Sequence, residues 1–418
     1  MPKHLCLVTS FLHHPRGRDM DSATPPSPEL ILDRLRTLKV VGKGAMGTVF
    51  LVNDIVADPS ARCPFALKVV EKSSFHNKLD AERRARWEIH VLSRLTHPFL
   101  PSLLGTFEDH QFLAWAIPYC PGGDLNVLRY RQSDRVFAPA VIRFYLAEII
   151  CALEHLHALG IAYRDLKPEN VLVQQSGHVT LTDFDLSRHL TPKTIKTAIA
   201  VEQNLSDNRS KHRRNFTRWI PVPSDIIHHK RGLVKAKSAR VIPVSRRKAS
   251  FSNGERSNSF VGTEEYVSPE VVRGEGHEFA VDWWALGILT YEMQYGTTPF
   301  KGRNRKETFR NVLMKAPEFV GRRTTLTDLI ERLLQKDPAK RLGYARGASE
   351  IKEHEFFRGV RWDLLTEVVR PPFIPSRDDG DRTGRRMSGS GADIGEYFER
   401  LRTPASPEKG RNISVTEF

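Results

Sequence analysis

The side chains best suited to chemistry lie in Tyr163–Asn170 and in a triplet that begins with Asp183, thirteen residues after Asn170. Asp165 can accept the proton of an attacking hydroxyl, and Lys167 can neutralise charge on a phosphoryl group in transfer. Asn170 and Asp183 offer oxygen ligands, which suit the hard cation Mg2+. A base, a cation and two metal ligands in this order predict phosphoryl transfer. The alternative is an ordinary charged loop between two strands.

These two motifs resemble the catalytic loop and the metal loop of protein kinases, with Tyr163 where His is commoner. The resemblance implies an α+β fold, the two-lobed protein kinase fold, with a small β-rich lobe and a large helical lobe. The kinase domain is expected over 35–357, with the lobes at 35–117 and 121–357. The resemblance also implies ATP and Mg2+ as cofactors.

Three glycines, Gly42, Gly44 and Gly47, let the backbone turn tightly and approach phosphates with N–H groups as donors. This pattern alone also fits a dinucleotide-binding loop. Strand-like residues flank it on both sides, which predicts a hairpin and disfavours the strand-to-helix turn of dinucleotide sites. Lys68 follows in the apolar run Phe65–Val70. By the kinase resemblance, Lys68 binds the α- and β-phosphates of ATP.

Apolar residues that share one face predict a helix over 81–95. The kinase resemblance implies that this helix supplies a carboxylate partner for Lys68. Glu88 is favoured because it lies ten residues before Pro98, where the family places its ion-pair glutamate. Glu82 is the competitor, but it lies further from the apolar face.

The apolar strand Phe112–Ile117 and the segment Pro118–Leu125 resemble the hinge between the two kinase lobes. Backbone groups at Pro118 and Cys120 are expected to pair with adenine. Pro118 keeps the carbonyl that accepts from the adenine amine, so the loss of its N–H is tolerable. The residues expected around ATP are Gly42, Gly44, Gly47, Val49, Ala66, Lys68, Ile117, Pro118, Cys120, Asp124 and Leu172. The aliphatic members of this set form the apolar walls of the pocket.

Three features resemble the AGC group of kinases: the Tyr-Arg-Asp form of the catalytic loop, the pair Trp283–Trp284 and the tail segment Pro371–Pro375. Asp185, where the metal loop usually has Gly, and a long activation-segment insertion resemble the plant-specific AGC kinases. Among these the chain looks most like the UNICORN type, associated with control of organ growth. The resemblance implies a serine/threonine kinase in plant growth signalling. Asp tolerates right-handed backbone conformations, so Asp185 need not abolish catalysis.

Asp124, Glu169 and Glu292 align with acidic positions that receive basic substrate residues in AGC kinases, although each alone is more often a solvated carboxylate. Together they predict a preference for Arg or Lys shortly before the phosphorylated Ser or Thr, because carboxylate–guanidinium pairs are directional. Ser259 lies where AGC kinases are phosphorylated for activation, which implies an upstream AGC-activating kinase as a partner. Its phosphate can pair with Arg164.

Other positions are expected to hold the structure together. Glu270 is expected to form a buried ion pair with Arg341, and Asp282 to brace the backbone of the catalytic loop.

At the end of the tail, Phe418 is expected to dock beside the Glu88 helix, as the aromatic motif of AGC kinases does. The alternative is a frayed tail without a function.

The 418 residues are enough for a substantial core in two unequal lobes. Four cysteines without paired spacing indicate neither a disulfide framework nor a zinc site, and they favour a reducing compartment. No apolar run approaches the ~20 residues that span a bilayer. Residues 1–34 are predicted to be a disordered leader, in which translation starts at Met1 or Met20. Residues 358–418 are predicted to be an AGC-type C-terminal tail.

The formal net charge of +15 is concentrated between Thr191 and Asn258, with sixteen Lys or Arg against four Asp or Glu. This composition cannot bury enough apolar surface to order itself, so we predict a basic disordered insertion over about 189–257. Lys211–Arg214 and Arg246–Lys248 suit an anionic lipid or a nuclear import receptor, and the sequence does not choose between them. We expect a cytoplasmic and nuclear protein that can associate with the plasma membrane.

Two other classes of protein compete with an active kinase. A pseudokinase scaffold usually lacks the reactive Lys, Asp or Asn, and Lys68, Asp165 and Asn170 are all present. A nucleic-acid-binding protein would explain the basic insertion, but that segment has few aromatic residues and no known binding fold. We therefore expect a monomer whose partners are protein substrates with basic residues near Ser or Thr, and no specific nucleic acid.

Overall fold

The computed structural model describes residues 28–44, 47–56, 63–73, 81–190, 263–276, 278–367, 371–375, 385–386 and 393–402. These residues form a small lobe built on one β-sheet and a larger lobe built mainly of helices, which confirms the predicted two-lobed α+β architecture. No helix in these ranges is long and apolar enough to cross a membrane. Ser259, Phe418 and all but the first two residues of the 189–257 insertion lie outside the described residues.

The small lobe contains an antiparallel sheet in the order β10-β1-β2-β3-β5-β4. Its strands are β1 (Leu35–Gly44), β2 (Gly47–Asp54), β3 (Phe65–Glu71), β4 (Gly105–Glu108), β5 (Phe112–Pro118) and β10 (Arg385–Arg386). β1 and β2 form the predicted hairpin, in which Gly44 pairs with Gly47. Gly47 has a φ of +153°, and a Cβ there would lie 2.4 Å from the carbonyl oxygen of Val69. This close approach of two strands requires glycine.

Helix α1 (Ala81–Leu92) follows β3, and its buried apolar residues belong to the same core as Leu113 and Trp115 of β5. The predicted helix therefore forms, but it ends three residues before Leu95. Its buried face includes Glu88, so one carboxylate of this helix lies inside the lobe.

The larger lobe is built around two long helices. Its helices are α2 (Leu125–Tyr130), α3 (Pro139–Ala158), α4 (Pro269–Arg273), α5 (Ala280–Tyr295), α6 (Arg305–Met314), α7 (Thr325–Leu333) and α8 (Ala348–Lys352). α5 is apolar on nearly all sides and is buried along almost its whole length, as such a helix must be. A Cβ on Gly287 would lie 2.8 Å from Leu334, so glycine permits close packing of α5 against the end of α7.

Two short two-stranded sheets position the reactive loops. β6 (Ile161–Ala162) pairs with β9 (Arg188–His189), and β7 (Val171–Val173) pairs with β8 (Val179–Leu181). The catalytic loop lies between β6 and β7, and the metal loop lies between β8 and β9. The two loops are therefore held side by side, and the N–H of Thr182 donates to the carbonyl of Asn170 at 3.0 Å.

Residues 28–34 lie against the small lobe. The N–H of Leu30 donates to the carbonyl of Thr106 at 2.8 Å, and the Leu30 side chain lies where a Cβ on Gly105 would be. A short 3-10 turn, Leu32–Arg34, then leads into β1. The predicted disordered leader over 1–34 is therefore wrong for these residues, because Leu30 buries apolar surface on the sheet. Residues 1–27 lie outside the described residues.

The tail contacts both lobes. In the large lobe, Gln175 Nε2 donates to the carbonyl of Pro375 at 3.3 Å. Helix α9 (Ile394–Arg402) lies on the outer face of the small-lobe sheet, where Phe398 is buried. The Phe398 ring centroid is 6.2 Å from that of Phe50 and 5.4 Å from that of Phe112. The tail therefore covers apolar surface that would otherwise face water.

Candidate active site

The backbone of the catalytic loop is fixed by Asp282, which is fully buried in the first turn of α5. Its carboxylate accepts from the N–H groups of Tyr163 (2.9 Å) and Arg164 (2.7 Å), and His157 Nε2 lies 2.8 Å from it. Arg164 has a φ of 70°, which residues other than glycine rarely adopt. The predicted brace is therefore present, and it stabilises a strained backbone turn beside the reactive residues.

Asp165 is buried in the catalytic loop and uses one carboxylate oxygen for contacts within the protein. Its Oδ2 accepts from Lys167 Nζ and from Asn170 Nδ2, each at 2.8 Å. No hydrogen bond from the described residues reaches Oδ1, which can therefore accept a substrate hydroxyl proton. Burial raises the pKa of Asp165 above its usual value, against the opposing effect of Lys167 and Asn170. A raised pKa makes the carboxylate a stronger proton acceptor.

Lys68 lies between two carboxylates. Its Nζ is 2.8 Å from Glu88 Oε2 and 3.0 Å from Asp183 Oδ1. Glu82, the competing candidate, instead accepts from Arg86 at 2.9 Å on the exposed side of α1. Burial alone would lower the pKa of Lys68, but the two carboxylates outweigh it and raise that pKa. Burial, opposed by the charge of Lys68, raises the pKa of Glu88 to about 7.

The residues predicted to bind a metal, Asn170 and Asp183, supply two oxygen atoms of the right kind. Asn170 directs its amide nitrogen toward Asp165, which leaves its amide oxygen for a cation. Burial alone would raise the pKa of Asp183, but Lys68 outweighs it and keeps that pKa below its ordinary value. Among the described residues there is no cluster of three His, Cys, Asp or Glu. The donor set fits Mg2+, which usually takes its other ligands from substrate phosphates and water.

The side chains predicted around ATP come from both lobes. In the small lobe, Val49 pairs with Lys68 and Ala66 pairs with Ile117, and in the large lobe Asp124 pairs with Leu172. At the hinge, a Cβ on Gly122 would lie 2.6 Å from Val173, so glycine allows the hinge to run close to β7. Burial raises the pKa of the Cys120 thiol to about 12, which keeps it protonated and unreactive.

Glu292, one of three carboxylates predicted to receive basic substrate residues, already has a cationic partner. It accepts from Arg129 Nη2 at 3.0 Å and from the hydroxyl of Tyr266 at 2.5 Å. The side chains are 13% exposed for Glu292 and 4% for Arg129. Much of the Glu292 charge is therefore neutralised within the protein.

The other two carboxylates, Asp124 and Glu169, accept hydrogen bonds from neutral donors, although the charge of Arg131 also acts on Asp124. Asp124 caps α2 by accepting from the N–H of Val127 at 2.7 Å, and Glu169 accepts from Asn126 Nδ2 at 3.1 Å. Burial raises the pKa of Asp124, although the backbone hydrogen bonds oppose that rise. These two side chains keep more of their charge available to a substrate than Glu292 does.

A second set of contacts between α1 and the metal loop is not among those predicted from the sequence. Arg84 Nη2 donates to Asp185 Oδ2, and Trp87 Nε1 donates to Ser187 Oγ at 3.0 Å. The spacing offered a signal, because Arg84 is four residues before Glu88 and so lies on the same side of the helix. Asp185 is not among the described residues with positive φ, which confirms that it occupies its position without backbone strain.

The chain matches the protein kinase domain family over residues 35–205 and 248–357, more than half of its length. It belongs to the protein kinases. Serine/threonine-protein kinase UCN of Arabidopsis thaliana is 61% identical over 399 residues, covering 92% of this chain and 95% of that relative. Serine/threonine-protein kinase UCNL of the same plant is 62% identical over 392 residues, covering 92% and 93%.

Serine/threonine-protein kinase OXI1 of Arabidopsis thaliana is 46% identical to the kinase over 366 residues, covering 86% of this chain and 83% of that relative. These similarities confirm the predicted membership of the plant AGC group and a serine/threonine-specific kinase activity. A protein kinase domain implies ATP as the phosphate donor and proteins as substrates.

Proposed function

We propose that this kinase uses Mg2+ with ATP and phosphorylates Ser or Thr in basic sequence contexts. The observation that supports the reaction best is the sharing of Lys68 between Glu88 and Asp183, at 2.8 and 3.0 Å. This arrangement holds one ammonium group beside a carboxylate suited to the metal. A pseudokinase would be expected to have lost a member of this set.

Each reactive side chain has a distinct task in the proposed reaction. Lys68, oriented by Glu88, binds the α- and β-phosphates of ATP. Asp165 accepts the substrate hydroxyl proton at Oδ1, while Lys167 neutralises charge on the transferred phosphoryl group. When bound, Mg2+ neutralises charge on the phosphate oxygens. The residues that would hold the ion are Asn170 and Asp183.

The preference for basic substrates is assigned mainly to Asp124 and Glu169. Both are acidic, and the hydrogen bonds described for their carboxylates come from neutral donors. Glu169 is the better candidate, because Asp124 also lies within the influence of the Arg131 charge. Glu292 contributes less, because buried Arg129 already offsets its charge. We expect Glu169→Gln to reduce the selection of Arg before the phosphorylated residue more than Glu292→Gln does.

We further propose that phosphorylation of Ser259 by an upstream kinase activates the enzyme. The support lies in Arg164, which is part of the catalytic loop, and in Arg188, which begins β9 directly after the metal loop. Burial and then the charge of Arg188 lower the pKa of Arg164 to about 10. Two neighbouring guanidinium groups suit a phosphate, which accepts several charge-assisted hydrogen bonds.

The proposed location is the cytoplasm and nucleus, with association at the plasma membrane, and the proposed setting is plant growth signalling. The basic composition between Thr191 and Asn258 supports the location, since it suits an import receptor or an anionic lipid surface. Deleting residues 195–245 should change where a fluorescent fusion accumulates. An unchanged distribution, with no binding to anionic vesicles at low salt, would contradict this role.

Phosphorylation of a degenerate Ser/Thr peptide library tests activity and specificity together. We expect transfer from ATP that requires Mg2+ and favours Arg or Lys before the acceptor. The Glu169→Gln and Glu292→Gln variants, assayed on the same library, separate the roles of the two carboxylates. Transfer without any basic selection would contradict the substrate proposal, and a lack of transfer by the wild-type protein would contradict the reaction.

A further inference from the structure

Asp185 occupies a position in the metal loop where its carboxylate is buried, with its side chain only 5% exposed. A buried carboxylate is costly unless it is paired, and among the described residues Asp185 forms an ion pair with Arg84 of α1. Asp185 is therefore attached to a neighbouring element, whereas a glycine in its place would have no side chain to attach.

The partner lies on the helix that carries Glu88. Arg84 is one helical turn before Glu88, so the two side chains leave α1 from the same side. Glu88 contacts Lys68 of β3 at 2.8 Å, while Arg84 contacts the metal loop two residues after Asp183. Lys68 also lies 3.0 Å from Asp183, so these contacts connect α1, β3 and the metal loop to one another.

A neutral hydrogen bond supports the same attachment. Trp87 Nε1 donates to Ser187 Oγ at 3.0 Å, and Ser187 Oγ donates to the carbonyl of Phe184 at 2.6 Å. One turn of α1 thus makes two contacts with residues 184–187 and one contact with β3. Of these contacts to the metal-loop segment, the ion pair is the stronger kind, since charge assistance roughly doubles a hydrogen bond.

We propose that Arg84 and Asp185 are positioning residues for phosphate transfer: their ion pair ties α1 to the metal loop, and so keeps Glu88 on Lys68 and Lys68 beside Asp183. Neither residue touches the reacting atoms in this account. This inference rests on the proposed roles of Lys68, Glu88 and Asp183. It follows that the Asp185 side chain holds the metal loop in position, and that a glycine at position 185 would leave the loop without this contact.

The test uses the full chain with Arg84→Gln, Asp185→Gly and the double variant. We expect each single change to lower kcat by about tenfold to a hundredfold, with the KM for a basic peptide changed less than about twofold, because alignment is lost but the peptide surface is intact. The double variant should be no slower than the slower single variant, since both changes remove the same contact. Arg84→Lys, which keeps the charge, should restore part of the rate.

Arg86→Gln is the matched control, because Arg86 is on the same helix but pairs with Glu82 and Glu108 on the exposed side. It should keep kcat within about twofold of wild type, as surface pairs contribute little. Wild-type kcat in Arg84→Gln or Asp185→Gly, or losses that multiply in the double variant, would overturn the proposal. ATP hydrolysis without peptide is measured on the same proteins. If the wild-type protein hydrolyses ATP but does not phosphorylate the peptide, the proposed substrate preference is wrong. The hydrolysis rates of the variants still test the ion pair in that case.

Discussion

Buried charges are paired differently in the interior of the large lobe and at the reactive loops. In the large lobe, Arg341 is fully buried and donates to both oxygens of Glu270, at 2.7 and 2.9 Å, and to two backbone carbonyls. At the reactive loops, Lys68 is shared by Glu88 and Asp183, and the Asp183 side chain remains 40% exposed. The first pair is complete within the protein, whereas the second set faces the space where phosphates and metal would bind.

This difference separates structural charges from reactive ones. A complete buried pair leaves no group free for a ligand, and breaking it leaves an uncompensated charge inside the protein. A shared cation can exchange a protein carboxylate for a phosphate without leaving a charge buried alone. We therefore expect changes at Glu270 or Arg341 to reduce stability, and changes at Lys68 or Asp183 to reduce activity while the fold persists.

The largest effect is expected from Asp183→Asn. A neutral amide binds Mg2+ far less well than a carboxylate, so phosphate transfer should fall by about a hundredfold or more. The thermal midpoint should remain within about 2 °C of the wild-type value, because the side chain is partly exposed. Asp363→Asn is the control, since Asp363 is exposed and its partner is nearby Arg361. Transfer at the wild-type rate by the Asp183→Asn protein would contradict the assigned reaction.

The next largest effect tests the structural pair. Glu270→Gln should lower the free energy of unfolding by about 3–5 kcal/mol, because the Arg341 guanidinium would be left buried without its counter-charge. Urea denaturation measures this loss. Glu275→Gln is the control: Glu275 is exposed and lies 3.7 Å from Arg273. A Glu270→Gln protein of unchanged stability would remove the distinction between structural and reactive charges.

An apolar contact provides a third comparison, because it stabilises the small lobe without charge. Phe398→Ala should cost about 2–3 kcal/mol of stability, since the ring is buried between Phe50 and Phe112. Leu401→Ala on the same helix is the control, as Leu401 is half exposed. Calorimetry on both variants measures the difference. Equal midpoints for the two proteins would show that α9 does not cover the sheet in solution.

The smallest effect concerns a partly buried histidine, His97. Burial, together with the charges of His155 and Lys352, lowers the pKa of His97 from 6.5 to about 4. The folded state therefore binds fewer protons than the unfolded state as the pH falls below 6.5. The contribution of neutral His97 to the free energy of unfolding is present above pH 6.5 and is lost as the pH falls through 4. His97→Gln should reduce the loss of unfolding free energy at low pH by about 1–2 kcal/mol, since the partial exposure of His97 weakens the effect of its burial. Exposed His110→Gln is the control, and equal pH profiles for wild type and His97→Gln would refute the effect.

Short motifs made much of the site predictable from the sequence. The catalytic loop, the metal loop and the glycine hairpin each lie within a few consecutive residues, so local spacing reveals the motifs and the kinase resemblance assigns their roles. Glu88 was also accessible, because the resemblance places the ion-pair glutamate ten residues before Pro98 and Glu82 lies further from the apolar face. Asp282 and the Glu270–Arg341 pair were accessible only through the family resemblance, since these partners are far apart in the chain.

Long-range packing explains what the sequence did not show. Arg129 and Glu292 are 163 residues apart, so the neutralisation of Glu292 has no local signal. The placement of Leu30 on the sheet, and of Phe398 of α9 against Phe50 and Phe112, likewise depends on surfaces that only the folded lobe creates. Docking of Phe418 stays a prediction: Phe418→Ala should lower activity or Ser259 phosphorylation, and unchanged values for both would contradict it.

The most direct test of the distinction between reactive and structural charges is the rise in thermal midpoint that MgATP produces in wild type, Lys68→Met and Glu270→Gln. A ligand that binds the folded state raises its midpoint in proportion to its binding free energy. We predict that Lys68→Met loses most of this rise, and that Glu270→Gln keeps the wild-type rise from a lower starting midpoint. An undiminished rise in Lys68→Met, or a rise lost to the same extent in Glu270→Gln, would contradict the account.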